Sequence, residues 1–378
     1  MSEFIHPGGV DLHDHFREPS RTNLAENFRS GTRAAVTGGY VVVNDMPNTP
    51  GRETWTYERL EEKAERIMQG AYIPTGIIIG MQPDADNVNE IPKMMHRAIA
   101  SKQYYTWTQG NDRELGPEDF REQTAAAHEA DPTKPIMVHA GEDVEGIIGM
   151  IAGDFNHPLH FCHVNDPDTV RLIGEQKKRH DTPITTGVTP HHLFKSSFDT
   201  HTEGWFARMQ PPLAHQIDAE QLFDMLAEGE IDIVETDHAP HTLEAKWDAQ
   251  AANPSCGREG ASCFGVTNIE FALPMLFHQE RIGNITMDRI IEATSTKPAD
   301  IIGIKLSPKT RVKWDLGQEY RINDSDVMSG SEWTPFQGKL AVGTVVDIVI
   351  GGRSLMEYED DGMVLGRAPR VLRQGDTV

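Results

Sequence analysis

Cysteine is nearly absent: Cys162, Cys256 and Cys263 are the only three in 378 residues. Three thiols cannot build a disulfide framework, and they suit a reducing, cytoplasmic setting. Cys256 and Cys263 have no second pair behind them, so they read as loop thiols rather than zinc ligands. No apolar run approaches the roughly 20 residues that cross a bilayer. The opening MSEFIHPGGVDLH also lacks the basic-then-apolar pattern of a secretory leader. Basic charge is scarce too, with 35 Lys and Arg against 58 Asp and Glu, a formal net charge of -23. A surface of that sign repels polyanions, which argues against nucleic acid or anionic membranes as partners. Any site for an anionic substrate must therefore be local and basic.

What the chain does have is alternation. Short β-branched runs precede amphipathic stretches eight times: VDLHDHF (10–16), YVVVNDMP (40–47), YIPTGIIIG (72–80), ASKQYYTWT (100–108), PIMVHAG (135–141), PLHFCHV (158–164), PITTGVTPHH (183–192) and IDIVETDHAPH (231–241). Between them, TYERLEEKAERIMQG puts Leu60, Ala64, Ile67 and Met68 on one helical face and ends at Gly70. Asp166 followed by Pro167 reads as a helix start, and Asp218 reads as a second N-cap. Eight such units predict a (β/α)8 barrel over residues 1–305. Residues 306–378 are expected to form a small β side domain nearly alone, with Gly351-Gly352 as a turn between strands. A long loop is expected from Leu243 to Asn268.

Active sites of such barrels lie at the C-terminal ends of the strands. The polar residues here sit late in their runs: His13, His15, Lys102, His139, His163, Asp237 and His241, with His191 and His192 ending the seventh. In DLHDHFREP, alternate positions place His13, His15 and Arg17 on one face of a strand. Two imidazoles on one face make half of a metal site, and a guanidinium beside them can clamp an anion. His13, His15 and Asp237 are expected to hold one ion, and His139 and His163 a second. Two ions need an anion between them. Lys102 can supply it, because a lysine amine kept neutral reacts with CO₂ to give a carbamate. The donor set suits two Zn²⁺, though Mn²⁺, Co²⁺ or Fe²⁺ would also fit.

DLHDHFREP, NDMPNTP (44–50), VHAGED (138–143), FCHVND (161–166), VTPHHLFKS (188–196), ETDHAPHTLEAK (235–246) and WTPFQGKLAVGTV (333–345) together resemble the dihydroorotases of the amidohydrolase superfamily. The resemblance implies the ligand set above, with a carboxylated Lys102. It also implies a hydroxide between the ions as nucleophile and Asp237 as both ligand and proton shuttle. The implied reaction closes N-carbamoyl-L-aspartate to L-dihydroorotate in pyrimidine biosynthesis. Arg17, Asn48 and His241 match the carboxylate pocket of the family. Gln210, in ARMQPPLAH, stands where relatives commonly carry Asn or Arg, and could bond the ring edge or ureido group. Thr108 lies where the family has a loop that closes on substrate. The polar, aromatic context ASKQYYTWTQGND departs from the small residues usual around that lysine. Gly187 stands where some relatives carry an acidic residue near the metals, so no extra metal site is implied. His191 and His192 are read as supporting residues, the ligand set being full without them.

A homodimer and association with aspartate transcarbamoylase are further expectations of the resemblance. The rivals are an allantoinase or a hydantoinase (dihydropyrimidinase), against which Arg17 and the MPNTP segment argue. A catalytically inactive partner of aspartate transcarbamoylase would lose ligands that this chain keeps.

Overall fold

The computed structural model describes residues 3–20, 25–83, 87–106, 114–253, 263–359 and 362–378. The alternation does build a (β/α)8 barrel. Its eight parallel strands run in chain order: β2 (Gly9–Val10), β3 (Tyr40–Asp45), β4 (Thr75–Gly80), β5 (Ala100–Tyr104), β6 (Ile136–His139), β7 (Leu159–Phe161), β8 (Ile184–Val188) and β9 (Ile233–Val234). Strands β3, β4 and β5 are buried at every position, as expected for strands covered on both faces. The ring closes beyond the regular strands, where Asp14 bridges both Asp45 and His238.

The helices follow the sequence signals with two exceptions. Asp166 caps the helix Pro167–Lys177 as expected. The helix Gln216–Glu228, however, is capped by His215, and Asp218 sits at its third position, where its carboxylate accepts from the His215 N–H. Asp competes well for either place, because both satisfy an orphan donor of the first turn. Leu60, Ala64 and Ile67 are buried, but Met68 is 50% exposed. It lies next to the apolar stripe rather than on it. The seventh run is also shorter than expected. Thr189 caps a helical turn over Pro190–Phe194, which places His191 and His192 on that turn and not on the strand. Likewise Leu243–Ala252 is a helix capped by Thr242 rather than the start of a loop. Cys256 and Thr108 lie outside the described residues.

The side sheet corrects a further expectation. Residues after 306 do not form it nearly alone, because β1 (Glu3–His6) pairs antiparallel with β10 (Arg311–Arg321). β10 pairs in turn with β11 (Leu340–Ile350), and β12 (Arg353–Ser354) folds back across Gly351-Gly352. Both glycines have positive φ, 59° and 92°, which a side chain would resist. The sheet is anchored by Trp314, fully buried, packed edge-on against Phe277 at 5.0 Å between centroids. The indole fits because Gly39 (φ 81°) has no Cβ; one built there would meet Trp314 at 2.1 Å.

Trp314→Ala should cost about 3–5 kcal/mol, read as a lower urea midpoint. An unchanged midpoint would mean that the sheet is held to the barrel elsewhere.

Candidate active site

The first strand is positioned by carboxylates. Asp11 Oδ1 accepts the N–H of His13 at 3.2 Å and of Thr236 at 3.0 Å. Asp14 Oδ2 accepts from Asn44 N–H at 3.1 Å, and Asp45 Oδ1 from Phe16 N–H at 2.8 Å. The His15 N–H donates to the His238 carbonyl at 2.8 Å. Thus the segment carrying His13 and His15 is tied to strands on both sides. Lys63 reaches in from its helix to Asp45 at 2.5 Å. Burial pushes the Asp11 carboxyl up to about 7, and Asp14 well above the ordinary range.

That frame brings the expected ligands together. Asp237 Oδ1 lies 3.0 Å from His15 Nε2 and 3.5 Å from His13 Nε2. The donor atoms of His13, His15 and Asp237 all lie within 4.8 Å of one another. Across the site, His139 Nδ1 meets His163 Nε2 at 2.9 Å, and the His13 and His163 rings are 5.1 Å apart. Lys102 is fully buried between them, with its ammonium group 5.7 Å from the Tyr104 ring centroid. Its Nζ donates to Cys162 Sγ at 2.8 Å. None of the six is more than 9% exposed.

The backbone is bent to make this arrangement. Among the described residues, five non-glycine positions have φ in the left-handed region, and three are Arg17 (60°), His163 (40°) and Asp237 (46°). Such conformations cost about 1–3 kcal/mol each and persist only where the surroundings enforce them. Here they turn side chains at strand ends into the mouth of the barrel.

The residues fit a pair of divalent ions. Burial, more than any neighbouring charge, holds His13 at about 4 and His15, His139 and His163 well below the ordinary imidazole value. Neutral imidazole is the form that binds metal. A buried nitrogen also lacks a partner: His139 Nε2 makes no hydrogen bond. Burial raises the Asp237 carboxyl, against the opposing pull of His13 and Lys102. An ion at that oxygen would act in the opposite direction.

The expected carboxylate pocket is assembled in part. Arg17 is 3% exposed, its Nε has no hydrogen-bond partner, and burial holds it at about 10. Asn48 lies close to the His15 ring, and Arg17 is close enough to depress both His15 and His241 electrostatically. His241 Nε2, however, donates to the Phe264 carbonyl at 2.9 Å. In the neutral ring that leaves Nδ1 as an acceptor only, so His241 offers no donor to a carboxylate in this geometry. Gln210 is half-buried, and among the described residues no contact joins it to the histidines. His192 donates to the Pro211 carbonyl at 3.2 Å, and His191 accepts from Asn268 at 3.1 Å. A groove of about 740 Å³ is lined by Phe206, Arg208, Trp247 and Trp333 and by none of the expected ligands.

Two buried groups escaped the sequence reading. Cys162, next to the ligand His163, meets Lys102. Glu235, two residues before Asp237, is fully buried and takes the His163 N–H at 2.5 Å. The alternation in ETDHAPH carried the signal, since it puts Glu235 and Asp237 on one face. His13, Cys162 and Glu235 form a second close group of donor atoms.

Comparison with known proteins agrees with this architecture. The amidohydrolase family model matches residues 4–307, and the chain belongs to that family. Among curated relatives, a dihydroorotase of Staphylococcus epidermidis is 30% identical over 397 residues, covering 94% of this chain and 88% of its own. The multifunctional protein CAD of Squalus acanthias is 31% identical over 352 residues and 92% of this chain. This chain spans only 14% of that protein's length. A D-hydantoinase (dihydropyrimidinase) from Thermus sp. superposes with a TM-score of 0.83 at 18% identity, covering 99% of this chain and 89% of its own, which speaks to fold alone.

Zn²⁺ added to metal-free protein should raise the unfolding temperature, by about 2.7 kcal/mol of stability at a free ion concentration 100 times Kd. His139→Ala should blunt the rise. A melting curve indifferent to zinc in the unaltered protein would remove the metal assignment.

Proposed function

We propose that the chain is a dihydroorotase that interconverts N-carbamoyl-L-aspartate and L-dihydroorotate with two ions per chain, zinc in the first instance. The observation that carries this reading is the convergence of His13, His15, Lys102, His139, His163 and Asp237 in one buried site with a buried guanidinium, Arg17, close by. Two divalent ions bound there would acidify water and polarise the carbonyl under attack. His13, His15 and Asp237 would hold one, His139 and His163 the other. Lys102, as a carbamate, would lie between them. No helix among the described residues is long and apolar enough to cross a membrane.

The chain's own residues account for the rest of the reaction. Arg17 pairs its planar fork with the substrate carboxylate and fixes the ring. Asn48, against His15, adds a donor at the same end. In hydrolysis water adds to the ring carbonyl, the bond to the ureido nitrogen breaks, and a second carboxylate forms. Asp237, held by His15 on one oxygen, takes the proton from water and delivers it to the departing nitrogen. Closure is the reverse and takes up one proton, because a dianion becomes a monoanion. Acid therefore favours the ring.

Arg17 separates this function from hydantoin hydrolysis, since a plain hydantoin ring carries no carboxylate to pair with it. An inactive partner protein is disfavoured because the full ligand set is present and buried. The proposed division keeps the chemistry in residues 1–305 and the side sheet in 306–378, with Glu3–His6 crossing over. The match to part of a multifunctional protein supports association with another enzyme of the same route, aspartate transcarbamoylase in this reading, alongside a homodimer. Two buried free cysteines, Cys162 and Cys263, suit the cytoplasm.

The test is turnover of L-dihydroorotate at alkaline pH beside hydantoin and allantoin, with zinc and bicarbonate present. Activity on dihydroorotate alone is expected, and preference for hydantoin would move the function to the rival. Arg17→Ala should raise KM for dihydroorotate about tenfold or more, the loss of at least 1.4 kcal/mol. An unchanged KM would take Arg17 out of the substrate site.

A further inference from the structure

Glu235 has no place in the reaction as described, yet it is fully buried at the centre of the ligand set. A buried carboxylate is costly unless its oxygens are paired. Both are. Oε1 accepts the His163 N–H at 2.5 Å, at a residue held in a left-handed backbone conformation. Oε2 lies 3.3 Å from His160 Nε2 and 3.7 Å from His13 Nδ1. The other nitrogen of His160 is fixed by Thr185 Oγ1 at 2.9 Å. Thus one side chain reaches two of the expected ligands, one through its ring and one through its backbone.

The space for it comes from a neighbouring strand. A Cβ built on Gly187 would meet Glu235 Oε1 at 2.6 Å, and its three nearest atoms all belong to Glu235. The backbone at Gly187 is not in the left-handed region. The Glu235 side chain is thus the nearest obstacle to a side chain at position 187. An aspartate oxygen lies two bonds from its Cβ, a span close to that 2.6 Å. A carboxylate could therefore reach the same point from either strand, but not from both together.

We propose that Glu235 is a positioning residue for the metal centre, orienting the His13 ring through Nδ1 and the His163 backbone through its N–H, in a space that Gly187 leaves open. A carboxylate on the far nitrogen of a ligating imidazole fixes its tautomer and raises its basicity, and losing one typically costs 10–100-fold in metal affinity. A purely structural role, a buried partner for His160, predicts lower stability of the metal-free protein and unchanged metal affinity.

This inference rests on the two-ion reading above, and the experiment keeps the two apart. Zn²⁺ is titrated against a chromophoric chelator into the full-length chain, unaltered and as Glu235→Ala, Glu235→Gln, Gly187→Asp and the double variant Glu235→Ala/Gly187→Asp. Metal-free unfolding is followed in each. Glu235→Ala should bind zinc 10–100-fold more weakly, and Glu235→Gln, which keeps the volume and an acceptor for His163, should lie between. Gly187→Asp alone should harm binding, yet in the Glu235→Ala background it should restore affinity to within a few-fold of the unaltered chain. Should Glu235→Ala fail to fold, Glu235→Gln and the double variant carry the test. Unchanged affinity in Glu235→Gln together with a double variant no better than Glu235→Ala would overturn the proposal. So would a third ion per chain that is lost with Glu235, which would make it a ligand. An unaltered chain that takes up no zinc would overturn the two-ion reading first, and this inference with it.

Discussion

The site exists because the barrel closes between its first and last strands. Regular pairing stops early on both, after two residues each, and the seam is completed by isolated backbone bridges and one carboxylate. Asp11 holds the Thr236 N–H, Asp14 bridges Asp45 and His238, and the His15 amide meets the His238 carbonyl. Without that seam His13 and His15 would not face Asp237. Both carboxylates, Asp11 and Asp14, are fully buried, and they fasten the ring.

Desolvation then sets the chemistry. The same exclusion of water that keeps four imidazoles neutral also raises Asp237 and places Lys102 against a thiol rather than solvent. Each effect would be unfavourable in a site meant to stay empty of cations. Together they leave donor atoms with lone pairs and few internal partners, and the orphaned Nε2 of His139 is the visible result. Stability is given up locally, in strained backbone at Arg17, His163 and Asp237, to keep those atoms converging.

Much of this was legible in the sequence. Alternation of β-branched runs with amphipathic stretches gave the barrel, whereas the expected strand through His13, His15 and Arg17 ends at Val10 and Arg17 takes a left-handed φ of 60°. Strand ends were less legible. The run through His191 and His192 read as one strand because β-propensity does not register that Thr189-Pro190 starts a helical turn. Asp218 was misplaced by three residues because an acidic side chain serves an N-cap and the third position alike. The fate of Glu3–His6 could not be read locally, since its partner strand lies at the other end of the chain. Glu235 was missed for a different reason. Its spacing from Asp237 was visible, but its meaning depends on the missing side chain of Gly187, on another strand. His241 shows the reverse: its type and spacing suited the pocket, and a single carbonyl, that of Phe264, redirects it.

The pairing of Glu3 with Asp315 has a consequence for how the molecule is made. Segments that pair across nearly the whole chain pay the largest loop-closure entropy and form late. On the ribosome, the strand leading directly into His13 and His15 must wait for its partner until almost everything else has been synthesised. The barrel can collapse before then, with β1 still unpaired. A chain interrupted before β10 would leave the edge of β1 open, a few residues from His13 and His15.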